Sequence, residues 1–170
     1  MSIDPSQHAE DRNPLETMLR TIPGFRGYLE KEYRRESDEL QRRWLAERLE
    51  RAKRSLDHLT RPLADAGQIE VLPQVDRLRG RLDKLIARIR GAMQGYSGFF
   101  DLVQVNEDLL DRVYDFDVNL MEQVELLAES VEKLSGEPSR ITAALPNLHH
   151  QADAVEKACD ERENILAGLD

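Results

Sequence analysis

Three groups of residues in this sequence have types and spacings that could do chemistry. His149, His150, Asp153 and Glu156 give a His-x-x-Asp spacing with a further carboxylate close by, a pattern that could ligate a metal from one helix. Adjacent histidines point about 100° apart on a helix, so they do not readily face one ion together. The Glu-x-x-His pairs used by di-metal carboxylate bundles occur nowhere in the chain. The expectation is exposed polar histidines beside a packed seam. Cys159 is the one cysteine and stands at an apolar position. Burial makes such a thiol a small apolar filler with a raised pKa, and the sequence designates no base to activate it. Asp108, Asp111, Asp115, Glu122 and Glu125 share a helical face that could hold divalent cations loosely. They lack the spacing of an EF-hand loop, so a wetted or ion-paired face is expected. No phosphate-binding Gly-rich loop, Gly-x-Ser-x-Gly or His-Glu-x-x-His is present. The chain is expected to be no enzyme, with no catalytic residue, cofactor or metal.

The elements that position these residues read as helices. After a polar, aperiodic stretch over 1–12, expected to be disordered, Asn13-Pro14-Leu15-Glu16 has the cap, first-turn proline and acid of a helix start. Pro23-Gly24 ends that short helix in a type II turn. A long helix is expected from about Gly27 to Thr60 on the stripe Leu29, Tyr33, Leu40, Trp44, Leu45, Leu49, Ala52, Leu56, Leu59, ending or kinking at Arg61-Pro62. Gly67 is a natural stop for any last turn. The second runs from about Pro73 to Met93 on Val75, Leu78, Leu82, Leu85, Ile89. The third, capped by Asn106, carries Leu109, Val113, Phe116, Leu120, Val124, Leu127, Val131, Leu134. The fourth steps by four and three through Ile141, Leu145, Leu148, Ala152, Val155, Cys159, Arg162, Leu166, Leu169, and its register continues across Pro146. Arg162 therefore occupies a seam position, where its methylenes would cover the seam and its tip would reach water. No strand signal survives. The fold class is all-α: an antiparallel bundle of four long helices with a short N-terminal helix, one domain over 13–170.

Composition narrows the function. With 24 Lys/Arg against 33 Asp/Glu in 170 residues, the net charge is −9, unsuited to nucleic acid as a partner. No run approaches the 18 apolar residues of a membrane span. Met1-Ser2-Ile3-Asp4-Pro5 lacks the basic and apolar regions of a secretory signal, and a lone cysteine excludes an internal disulfide framework, so a cytoplasmic protein is expected. Charge is segregated: Asp76 to Arg90 is rich in arginine, whereas Asp101 to Glu132 is acidic apart from Arg112. The simplest expectation pairs the two stretches, with Arg77–Arg90 beside Asp111, Asp115 and Glu122.

Two segments fall outside the seams. One is Ile22-Pro23-Gly24-Phe25-Arg26-Gly27-Tyr28, continuing to Tyr33; the other is Gly95-Tyr96-Ser97-Gly98-Phe99-Phe100-Asp101. With these motifs the stretch from about 14 to 134 resembles a family of uncharacterised bacterial all-helical proteins with an Ile-Pro-Gly-aromatic-x-Gly-Tyr start and a Gly-Tyr-x-Gly-aromatic-aromatic-Asp hinge. That resemblance implies a helical fold and no assigned activity. From the residues, Phe25, Tyr28 or Tyr33 should meet Tyr96, Phe99 or Phe100 in one packing or interaction cluster, because each ring buries on the order of 150 to 250 Å². The function expected is a scaffold or adaptor binding protein partners or itself. The alternative is a peripheral membrane stress or remodelling accessory using Asp76–Arg90 on anionic lipid. A 34-residue first helix would span about 51 Å against about 32 Å for the second, so self-association is expected to cover the excess.

Overall fold

The computed structural model describes residues 14–91, 107–134 and 140–166. Every regular element among them is helical: α1 (Pro14–Thr21), α2 (Arg34–Asp57), α3 (Thr60–Asp65), α4 (Leu72–Gly91), α5 (Glu107–Leu134) and α6 (Ile141–Leu166), with 3-10 turns at Lys31–Tyr33 and Ile69–Val71. The 1–12 stretch and Tyr96, Phe99 and Phe100 lie outside the described residues.

The seams of α4 and α6 are the expected ones. Val75, Leu78, Leu82, Leu85 and Ile89 are buried on α4, and Ile141, Leu145, Leu148, Ala152, Val155, Cys159, Arg162 and Leu166 on α6, which runs unbroken through Pro146. The first long helix differs. Residues 22–30 form an irregular strap, and α2 begins only at Arg34. Leu29, expected on the stripe, is 57% exposed. Pro62 does not end a helix. It stands in the first turn of α3, where a missing N–H has no intrahelical partner to lose. Gly67, at φ +73°, stops α3: the Gln68 N–H donates to Leu63 O at 2.9 Å and the Gly67 N–H to Ala64 O at 3.0 Å, a Schellman closure. With 24 residues against the 20 of α4, α2 keeps an excess of only four, and that argument for self-association loses its force.

Helix α2 packs on both α4 and α5, and α6 packs on both α5 and α4. Cross-helix pairs give the directions. Lys53–Asp83, Arg79–Asp57 and Arg90–Glu50 run in opposite senses along α2 and α4. Arg162–Asp38 and Arg162–Asp117 lie at one height and Arg48–Glu125 at another, so α2 and α5 run the same way. Arg81–Asp153 and Arg88–Asp160 show α4 and α6 also running the same way. The basic stretch of α4 is therefore not paired with α5 as expected. It faces α2 and α6, whose carboxylates take up Arg79, Arg81, Arg88 and Arg90. Asp111, Asp115 and Glu122 are exposed on the outer side of α5.

Candidate functional site

The densest convergence of polar groups is inside the protein, where the strap, α2, α5 and α6 meet. The strap is shaped by its glycines. Pro23-Gly24 makes the expected turn, closed by the Phe25 N–H donating to Ile22 O at 3.2 Å, with Gly24 at φ +81°. Gly27 sits at φ +92°, and a Cβ there would stand 2.6 Å from Tyr114 Oη and 3.2 Å from Leu15 Cδ1. Glycine is thus required twice over, for its dihedral and for the close approach of α5. Ser37 Oγ accepts the Arg26 and Gly27 N–H groups at 3.2 and 3.0 Å, tying the strap to the first turn of α2. The Tyr28 N–H donates to Tyr114 Oη at 2.6 Å, and Tyr28 O accepts from Arg34 Nε at 2.5 Å.

That anchorage drives Tyr28 into the core. Its ring stacks on Tyr114 at 5.2 Å and meets Phe25 edge-on at 5.6 Å. Its hydroxyl donates to Asp117 Oδ2 at 2.7 Å. Asp117 Oδ1 accepts from Arg162 Nε at 2.5 Å, and Arg162 Nη2 donates to Asp38 Oδ1 at 2.7 Å and to Gln41 Oε1 at 3.2 Å. Asp38 Oδ2 in turn accepts from Arg42 Nε at 2.9 Å. Tyr28, Asp38, Gln41, Arg42, Asp117 and Arg162 are all buried. Within this group two carboxylates face two guanidiniums and each charge has an opposite partner, the condition under which ions are tolerated in a core. Burial pulls the Arg162 guanidinium down, and Asp117 and Asp38 more than reverse that, so it stays charged. Burial first and Asp117 second push the Tyr28 phenol well above its usual range. It is a fixed donor, unable to act as a base or nucleophile near neutral pH.

A cavity of about 20 Å³ adjoins this clasp, lined by Gln41, Leu45, Leu120, Cys159 and Arg162 among others, which is room for one water. Gln41 Nε2 has no hydrogen-bond acceptor among the described residues. Cys159 is buried, and desolvation pushes its thiol up to about 11. A second clasp lies farther along α2, where Arg48 grips Glu125 bidentately at 2.8 and 2.9 Å and Glu132 at 2.7 and 3.0 Å.

Of the residues singled out from sequence, Phe25 and Tyr28 come together, while Tyr33 is half-buried with the Arg26 guanidinium 4.5 Å from its ring. The expected contact with Tyr96, Phe99 or Phe100 falls outside the described residues. The ring that stacks on Tyr28 is Tyr114, which the sequence reading did not select. Arg162 is corrected outright: the residue is 5% exposed and its guanidinium is ion-paired, not in water, because Asp38 and Asp117 occupy the seam positions that face it. The His149–Asp153–Glu156 group holds a guanidinium. Arg81 donates to His149 O at 3.0 Å, to Glu156 at 3.3 Å and to Asp153. Among the described residues no group of three or more His, Cys, Asp or Glu is placed to hold a metal, and no helix is long and apolar enough to cross a membrane. Ser37, Asp38, Gln41, Tyr114 and Asp117 went unselected. The available signal was the register: stepping back from Leu45 by four and three lands on Gln41 and Asp38, and Asp117 lies four past Val113 and three before Leu120.

Comparison with protein-family models, with curated proteins and with solved structures finds no match for this chain.

Proposed function

We propose that this protein is a non-enzymatic helical scaffold or adaptor that acts through its outer faces on protein partners, including copies of itself. The observation that supports this reading is the inward closure of its polar chemistry. Tyr28, Asp38, Asp117 and Arg162 are spent on one another across four segments of chain, beside a cavity that admits only a water. Such a network fixes the register and mutual placement of helices, the use for which buried polar groups are best attested. In this reading the four long helices form one bundle of two antiparallel hairpins, α2–α4 and α5–α6, set side by side with like-directed helices as neighbours. The cytoplasm suits a chain whose single thiol is free and buried.

The alternative, a basic face on anionic lipid, has less to work with. Four of the six basic residues between Asp76 and Arg90 are already paired to the chain's own carboxylates. Crosslinking in the native cells followed by mass spectrometry tests the proposal. Reproducible crosslinks from the helical surface to a protein partner or a second copy are expected. A chain that stays monomeric both in native extract and in concentrated solution would overturn it, as would salt-sensitive sedimentation with anionic vesicles in place of protein complexes.

A further inference from the structure

The two charged stretches that the sequence sets against each other are kept apart within the chain. Helices α4 and α5 both pack on α2 and both pack on α6, which places them at opposite corners and turns their outer faces in opposite directions. On the outer face of α4, Arg77 and Lys84 are exposed, seven residues apart, with no ion pair to another described residue. Gly80 lies between them, open on its Cβ side. On the outer face of α5, Asp111, Asp115, Glu122 and Glu129 are exposed in one stripe, likewise without a described ion-pair partner, and Leu126 is 50% exposed among them. Three other acids of that helix's middle are taken up within the chain, Asp117 by Arg162 and Glu125 and Glu132 by Arg48. At 1.5 Å per residue the Arg77–Lys84 spacing is about 10 Å, the same as Asp115 to Glu122 and Glu122 to Glu129.

We infer that the α4 outer face of one copy docks on the α5 outer face of a second copy of this chain. The occupant is identified by charge complementarity: a basic ridge and an acidic ridge of equal repeat on opposite sides of one molecule. The absence of side chains at Gly80 leaves room beside Arg77 and Lys84 for an apolar group, and Leu126 is the one the acidic stripe presents. Because the two faces differ, the contact is heterologous and propagates head to tail instead of closing as a two-fold dimer. The net charge of −9 per chain opposes association, so the contact is weak and depends on the local match. This inference rests on the scaffold reading and names one of its partners.

The test uses the full chain in sedimentation at high concentration, with two variants. Arg77→Glu/Lys84→Glu makes both faces acidic, and Glu122→Lys/Glu129→Lys cancels the net negative charge of the α5 stripe, leaving two lysines against Asp111 and Asp115. All four positions are exposed, so both proteins should keep their helical circular dichroism and unfolding midpoint. Wild type is expected to associate at low salt and to dissociate as salt rises. Each variant alone is expected to lose association by at least about tenfold, and an equimolar mixture of the two to regain it, since an intact acidic face then meets an intact basic one. A strictly monomeric wild type overturns the inference, and so does association that strengthens with salt or survives in either variant alone. If native complexes with another protein persist while the purified chain is monomeric, the docking inference fails and the scaffold reading stands. If neither is found, both fail.

Discussion

Arginine does two different jobs along helix α6 and its neighbours. At the clasp, Arg162 lies between carboxylates whose side chains are 5% and 0% exposed. About half a turn and two and a half turns away on the same helix, Asp160 and Asp153 meet Arg88 and Arg81 from α4 with 62% and 64% of their side chains in water. The chemistry is the same and the surroundings are opposite. Inside, a charge without its partner has no water to fall back on, so removing one side strands the other. Outside, water and salt substitute for a lost partner, and the pairs serve to choose which helix lies beside which. On this contrast the exposed α4–α6 ladder is expected to be expendable and the handful of buried groups to carry the geometry.

The comparison can be broken in four places, taken here from the largest expected effect to the smallest. Asp117→Ala takes away the nearer acceptor of the Tyr28 hydroxyl and one of the two carboxylates paired with the buried Arg162, and urea unfolding should show a loss of about 3 to 5 kcal/mol. Gly27→Ala imposes a Cβ on a φ of +92° and within 2.6 Å of Tyr114 Oη, and the same assay should show about 2 to 3 kcal/mol lost. Tyr28→Phe keeps the ring stack and deletes one donor to Asp117, costing about 1 to 2 kcal/mol. Arg81→Ala opens one rung of the outer ladder, and its loss should stay within about 1 kcal/mol and vanish at high salt.

Cys159 adds a pH dependence with a definite sign. Its thiol moves from an ordinary 9.0 to about 11 on folding, so the folded state holds the proton more tightly than the unfolded one. That contribution is fully present below pH 9 and is lost as pH rises from 9 towards 11. Alkylation at neutral pH should accordingly be slow in the folded chain and fast once it is unfolded in urea. Fast alkylation of the folded chain would show the thiol to be open to solvent.

The two halves of the molecule were not equally legible in the sequence. The seams of α4 and α6 were, because every inward position there except Arg162 is apolar and the steps of three and four are unbroken. The clasp end was not, because its inward positions are polar. A stripe sought among apolar residues slid from Gln41 and Asp38 onto Leu40, Tyr33 and Leu29, which stand beside the true seam, and so stretched α2 back over the strap. Asp117 was passed over for Phe116 in the same way. Gly24 and Gly27 were visible as breaks, but the reason for Gly27, the approach of Tyr114 from a helix 87 residues later, is a tertiary fact with no local trace. The helix pairing failed for a related reason: opposite charges on two helices state a preference for proximity, and the core packing of α2 between them decided otherwise.

The central claim, that the buried clasp and not the outer ladder fixes how the helices are placed, is tested most directly by a pair of double-mutant cycles read by chemical unfolding. One couples Arg162→Met with Asp117→Leu, the other Arg81→Met with Asp153→Ala. The account predicts a coupling of about 2 kcal/mol or more in the first cycle, with the double variant recovering much of what each single variant loses, and about 0.5 kcal/mol or less in the second. Equal couplings, or a larger one on the outer ladder, would contradict it.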